Sequence, residues 1–306
     1  ITTGLNNTLI GNYAGDALTT GGQNVAVGNG ALGAANGSEG KNVAIGYDTL
    51  NAMDSDGDNY NVAVGHNAGL AVSTGIRNVL IGGNAGDALT AGGLNVAIGH
   101  SALSTEDAHG RNVAIGYEAL MTQDAGADAY NVAIGHTAGV AVSTGVQNII
   151  ICGTAGDALT TGSYNIAIGY NALGTEDSGI GNVAIGRNAL GSLNTGNNAY
   201  HVAIGYEAGK VINTGLRGVF IGAHVADALT TGNDNVAIGY SAFSAEDTGN
   251  KNTALGAYAL QDLNYDGDGH NTAIGYNAGA NVSTARYNTI LGSLAGDALT
   301  TGAENV

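Results

Sequence analysis

The sequence predicts an all-β chain, a parallel β-solenoid or β-roll of 17–19-residue coils. Two observations predict it: one five-residue frame returns along the whole chain, and the composition suits stacked short strands and tight turns rather than a thick core. The frame reads NVAIG with variants and begins at residues 7, 24, 42, 61, 78, 95, 112, 131, 148, 165, 182, 201, 218, 235, 252, 271, 288 and 305. Most successive starts differ by 17 and every fourth by 19, so four coils make a 70-residue super-repeat. Among the 306 residues are 53 Gly, no Pro, no Trp and only two Phe. Absent Pro leaves strand N–H groups free to donate to the neighbouring coil and excludes a collagen helix. Val, Ile and Leu at fixed places exclude a disordered tract.

Within a coil, NVAIG reads as a strand whose side chains alternate, with Val25 and Val27 on one face and Ala26 on the other. A coil of this length has room for a second short strand and two turns, the turns marked by GG, TG, NG, SG and DG. The large apolar filler arrives four residues after the frame Gly in two coil classes, as Leu32, Leu50, Leu103 and Leu120. In the other two classes Gly usually stands there, and the filler comes at the seventh position, as Val72, Leu89, Leu159 and Leu229. The Asn that opens 16 of 18 frames is read as a structural ladder: Asn24, Asn42, Asn61, Asn78, Asn95, Asn112, Asn131, Asn148, Asn165, Asn182, Asn235, Asn252, Asn271 and Asn288, each amide bonding turn backbone and the next Asn. One coil in four carries a large residue in mid-strand, at Leu9, Leu80, Ile150, Phe220 and Ile290, on the face opposite the Val and Ile row. That repeat predicts burial against another chain, hence self-association into a fibre.

The frame with the aromatic, Ala and Leu after it, as in NIAIGYNAL at 165–173, resembles the head repeats of YadA-type trimeric autotransporter adhesins; similar repeats also occur in phage tail fibres. The likeness covers nearly every coil, although the family's unit is shorter than the coil here. It implies a left-handed β-roll of three chains, extracellular on a bacterial surface or phage virion, used for attachment. The expected partners are thus further copies of the chain, as a trimer or filament, and a glycan or cell-surface receptor. The domain expectation is a single continuous repeat region over 1–306, an excerpt of a longer repetitive polypeptide.

Candidate chemistry is sparse. DSDGDNYN at 54–61 and NYDGDGHN at 264–271 put Asp54, Asp56 and Asp58, and Asn264, Asp266 and Asp268, around Gly turns, a spacing that calcium loops use and that solvated turns share. Calcium is the one cofactor these residues suggest. The counterparts DAGADAYN at 124–131 and NTGNNAYH at 194–201 lose most of the carboxylates. Tyr47, Tyr117, Tyr170, Tyr206, Tyr240 and Tyr276, with His66, His100 and His136, come directly after the frame Gly and would line one edge, as a platform for sugar rings or as covers for neighbouring turns. His109, His224 and His270 have no sequence neighbour at metal-ligand spacing. The acids of TEDAHG, TEDSGI and AEDTGN read as solvated turns. A formal charge of −17 opposes nucleic-acid binding, and no apolar run is long enough for membrane insertion. GNGALG at 28–33 matches a dinucleotide fingerprint only through repeat glycines, and no nucleophile elbow, HExxH or P-loop occurs, so the expectation is a non-catalytic structural or adhesive protein.

Overall fold

A computed structural model describes residues 2–196 and 198–306; Ile1, and Asn197 within the NTGNNAYH loop, lie outside the described residues. The chain forms two compact units, 1–153 and 154–306. Each is a parallel β-solenoid, with nine three-residue strands in the first (Thr8–Ile10 to Ile149–Ile151) and eight in the second (Ile166–Ile168 to Thr289–Leu291). Among the described residues no helix is long and apolar enough to cross a membrane. Within each unit every strand pairs in parallel with the next at one register, Val25 with Val43 and Ala26 with Ala44 in the first, Val183 with Val202 and Ala184 with Ala203 in the second.

Among the described residues the expected second strand of each coil does not form. The residues after the frame Gly run through tight turns instead, and left-handed backbone recurs two and four residues after that Gly and just before the Asn, as at Asp48 (φ 47°), Leu50 (φ 49°) and Lys41 (φ 60°). The frame Gly itself sits near φ 138° at Gly28, and a Cβ there would stand 2.1 Å from the Gly46 carbonyl oxygen of the next coil. Gly fits such a column without strain, and Cys152 is the one frame position that departs from it.

The inward face of the strand is also the reverse of the simplest reading. Ala26, Ala44, Ala63 and their counterparts are wholly buried, while the flanking Val and Ile are half-buried or exposed. A coil this narrow has room inside for one strand side chain and a few turn side chains, one of them large in most coils. Leu32, Leu50, Leu103 and Leu120, and Val72, Leu89, Leu159 and Leu229, supply the latter from their two alternative sites.

This geometry corrects the interchain assignment of the mid-strand residues. Leu80, Ile150 and Phe220 are fully buried within their own chain, Ile290 is 6% exposed, and Leu9, in the first coil, is half-buried. They fill space left by glycines in the left-handed position: a Cβ on Gly69 or Gly86 would come within 2.7 or 2.8 Å of the Leu80 methyls, and one on Gly139 within 2.8 Å of Ile150 Cδ1. In each of these units, both strands paired with a large mid-strand residue carry Ala: Ala63 and Ala97 flank Leu80, and Ala203 and Ala237 flank Phe220. The two filling patterns keep the interior volume nearly constant, as close packing requires.

All fourteen asparagines of the predicted ladder are buried. Asn61 Oδ1 accepts the Asn78 N–H at 2.9 Å and Asn78 Oδ1 accepts the Asn95 N–H at 2.9 Å, while Asn61 Nδ2 donates to the Gly75 carbonyl and Asn78 Nδ2 to the Gly92 carbonyl, both at 2.8 Å. One side chain thus joins the strand start to its own closing turn and to the next coil. Asn24, Asn42, Asn95, Asn112 and Asn131 repeat the acceptor role in the first unit. In the second unit Asn165, Asn182, Asn235, Asn252, Asn271 and Asn288 do so. His201 and Gly218 replace Asn at two rungs.

Candidate functional site

The residue after the frame Gly leaves the turn outward, so one edge of each unit carries a row of exposed or half-exposed side chains at one-coil intervals. In the first unit Tyr47 stacks on His66 (5.2 Å between centroids, 10° between planes), and Tyr117 stacks between His100 (5.6 Å) and His136 (5.2 Å), with Gly83 interrupting the row. In the second unit the row is longer. Tyr170 and Tyr206 both contact the Arg187 guanidinium, at 6.0 and 5.7 Å. Tyr206, His224, Tyr240, Tyr258 and Tyr276 continue it edge to face at 5.2 to 6.1 Å. The six predicted tyrosines therefore belong to three ring rows. Arg187 completes the longest, and its frame position, immediately after Gly186, was the sequence signal that marked it. Such faces suit flat, partly apolar ligands and cations.

A second edge, built on the left-handed residue before the Asn, mixes cations and tyrosines. Lys41 Nζ contacts Asp58 Oδ2 at 2.6 Å and the Tyr60 hydroxyl at 3.0 Å; Arg111 repeats the pattern with Asp128 and Tyr130. Hydrogen bonding to Asp58, then to Tyr60, holds the Lys41 ammonium above its usual range. Lys251 pairs with Asp268.

These ion pairs account for part of the proposed calcium loops. Asp54, Asp56 and Asp58 are all exposed, and their carboxylates do not converge on one point. Asp58 is held by Lys41, and Asp56 accepts a long bond from Ser38 Oγ (3.5 Å). In the other loop Asp266 accepts from Thr248 Oγ1 at 2.7 Å, Asp268 faces Lys251, and Asn264 Nδ2 reaches the Ala245 carbonyl at 3.4 Å. Asp56, Asp58, Asn264, Asp266 and Asp268 thus each link one coil to the coil before it.

Of the acids read as solvated turns, Asp107 and Asp177 are exposed, whereas the glutamates are not. Glu106, Glu176 and Glu246 are fully buried, as is Glu39. Glu246 Oε1 accepts the N–H groups of Asp247, Thr248 and Gly249 (3.2, 3.2 and 2.7 Å), and Oε2 that of Tyr265 at 3.1 Å, pinning the long loop of the next coil. Glu176 does the same with Ser178, Gly179 and Thr195, and Glu39 with Gly37 and Ser55. Burial pushes the Glu246 and Glu106 carboxyls above the usual range, against the N–H bonds that lower them. Nothing in a TED tripeptide distinguishes an inward Glu from a solvated one; only its recurrence once per super-repeat was a signal.

The chain matches no protein-family model, no curated protein and no solved structure.

Proposed function

We propose that the chain is a non-catalytic, extracellular display scaffold that attaches to its target through many weak contacts along the ring row, in the manner of the adhesin head repeats and phage fibres it resembles. The observation that carries this reading is the unbroken series from Tyr170 to Tyr276, with seven planar groups presented one coil apart on rigidly bonded turns. Each ring is a modest contact for the face of a sugar, and a fixed series of them raises avidity without new chemistry. The test is binding of the purified chain to an immobilised glycan array, comparing wild type with a Tyr206→Ala, Tyr240→Ala, Tyr276→Ala triple variant. Retention on defined sugars that falls at least about 100-fold in the variant supports the reading, in keeping with avidity gains of that order. No retention, or retention the variant leaves unchanged, overturns it.

Self-association belongs to the same proposal, moved to a different surface. The apolar area open to a second copy is the outward Val and Ile row, which includes Ile45, Ile81 and Ile134 at 37 to 38% exposure, and not the buried Leu80, Ile150 and Phe220. Sedimentation equilibrium of wild type against an Ile45→Thr, Ile81→Thr, Ile134→Thr variant tests it. A trimer or larger species that reverts to monomer in the variant is expected, and a monomeric wild type sinks the fibre reading.

A further inference from the structure

Within the ring row of the second unit the exposed phenols follow a period of their own. Tyr170, Tyr206, Tyr240 and Tyr276 are 41 to 54% exposed, and each directly follows its frame Gly on every second coil. The coils between them carry Arg187, Ala223 and Ala257 at that position, with His224 and Tyr258 entering the row one residue later and half-buried. Successive strands here pair in parallel at one register, so two coils advance the tyrosines by about 10 Å. The row of the first unit lacks this period, because Tyr47 and Tyr117 stand four coils apart.

The rings between the exposed tyrosines hold them in place. Tyr240 packs edge to face between His224 (6.1 Å between centroids, 83° between planes) and Tyr258 (5.5 Å, 76°), and Tyr276 rests on Tyr258 at 6.1 Å and 85°. Tyr206 is braced by His224 at 5.2 Å and, on its other side, by the Arg187 guanidinium, which also reaches Tyr170. Rings fixed in this way lose little freedom when a ligand settles on them. Each exposed tyrosine is followed by a half-buried hydrogen-bonding residue: Asn171, Glu207, Ser241 or Asn277. Lys210 contacts Glu207 at 3.2 Å, and His224 lies between Asp227 and Glu207 at 3.5 and 3.7 Å, so the strip does not select a polyanion.

We propose that this strip binds the flat ribbon of an uncharged β-1,4-linked polysaccharide, the chemistry that cellulose and chitin share; the inference rests on the display reading of the same row. In such a ribbon each pyranose is turned over relative to the last, so every second sugar offers the same face to one side. One disaccharide closely matches the two-coil step. The faces of an all-equatorial pyranose carry C–H groups, which sit against the negative π face of a tyrosine, while its hydroxyls point sideways from the rim. The four tyrosines therefore meet four successive like faces of a chain lying along the stacking direction of the coils. A helical β-1,3-linked glucan has neither the flatness nor the two-fold repeat to touch them all.

The experiment is co-sedimentation of the full chain with microcrystalline cellulose, with chitin and with an insoluble β-1,3-glucan. Wild type is compared, at matched circular dichroism, with Tyr240→Ala and with a double variant, Tyr240→Ala with Ala257→Tyr, which moves one phenol a coil out of step and keeps the number of rings. Retention on cellulose or chitin is expected, the two arms telling glucose from N-acetylglucosamine, with little on the β-1,3-glucan. Losing one ring should weaken retention roughly 2- to 10-fold, the worth of one aromatic contact, and the displaced ring should restore none of it. Restoration by the displaced ring, or β-1,3-glucan held as firmly as the ribbons, overturns the proposal and leaves the display reading standing. Wild type that ignores both cellulose and chitin overturns it too, and retention of other sugars on the glycan array then decides whether the display reading survives. The comparison of the three polysaccharides with wild type stands even if the double variant misfolds.

Discussion

Residues 131–152 and 201–222 occupy the same place in successive 70-residue repeats and solve one packing problem in two ways. In the first, Asn131 Oδ1 accepts the Asn148 N–H at 2.8 Å and Nδ2 donates to the Gly145 carbonyl at 2.7 Å, while Ile150 fills the interior. In the second, His201 Nδ1 accepts the Gly218 N–H at 3.0 Å, its Nε2 reaches the Gly215 carbonyl at 2.7 Å, and Phe220 fills the interior. Those bonds fix the imidazole as the neutral tautomer with its proton on Nε2. Gly218 is part of the same exchange, because a Cβ there would lie 2.2 Å from Phe220 Cζ. The ladder therefore demands one acceptor, one donor and a fixed volume, and three coordinated residues meet that demand as well as Asn, Asn and Ile.

The comparison can be broken most severely at the imidazole. His201→Ala strands the Gly218 N–H and the Gly215 carbonyl and opens a void, and is expected to cost about 3–5 kcal/mol by urea denaturation; Asn131→Ala in the other repeat should cost slightly less. Gly218→Asn forces a side chain against the Phe220 ring and should cost about 3 kcal/mol. Adding Phe220→Ile should recover most of that loss, and a double-mutant cycle with no coupling would refute the shared-volume account.

Cys152 sharpens the comparison at its other end. It stands where the second repeat has Gly222, at φ 109° against φ 140°. A non-Gly residue there is strained, so Cys152→Gly should stabilise the protein by about 1–2 kcal/mol, read as a raised Tm. The smallest effect is a pH dependence. Burial lowers the His201 pKa in the folded state, so below the ordinary value near 6.5 the unfolded chain takes up a proton that the native one refuses. Stability is full above that pH and falls as pH drops through it, with a slope of at most about 1.4 kcal/mol per pH unit. The difference curve between wild type and His201→Asn isolates this term, and a flat difference from pH 7 to 5 would contradict it.

Much of the architecture was legible in the sequence because it recurs. Each three-residue strand lies inside a predicted frame, the ladder asparagines stand where the spacing put them, and both filler positions are inside. The misreadings came from side-chain direction. A three-residue strand has two faces of nearly equal apolar character, and the bulk of Val and Ile suggested that theirs was inward. The coil is too narrow for it, and Ala takes the inward place. Glu106, Glu176 and Glu246 were misread for a similar reason: a carboxylate seated on backbone N–H groups needs no partner that sequence would reveal. The ring row was visible as a frame position, although Tyr258 and His224, one residue further along, joined it only in three dimensions.

The alternation of Ala with large mid-strand residues bears on how such a chain can lengthen. Leu80 depends on glycines in its own coil and the one before, and on Ala63 and Ala97 at either side. Duplicating the coil of Leu80 alone would set two bulky mid-strand residues next to each other, where the native neighbours are Ala. Copying a block of four coils preserves every neighbour relation at both seams. One whole super-repeat is therefore an increment that adds length and leaves every large mid-strand residue between two Ala coils.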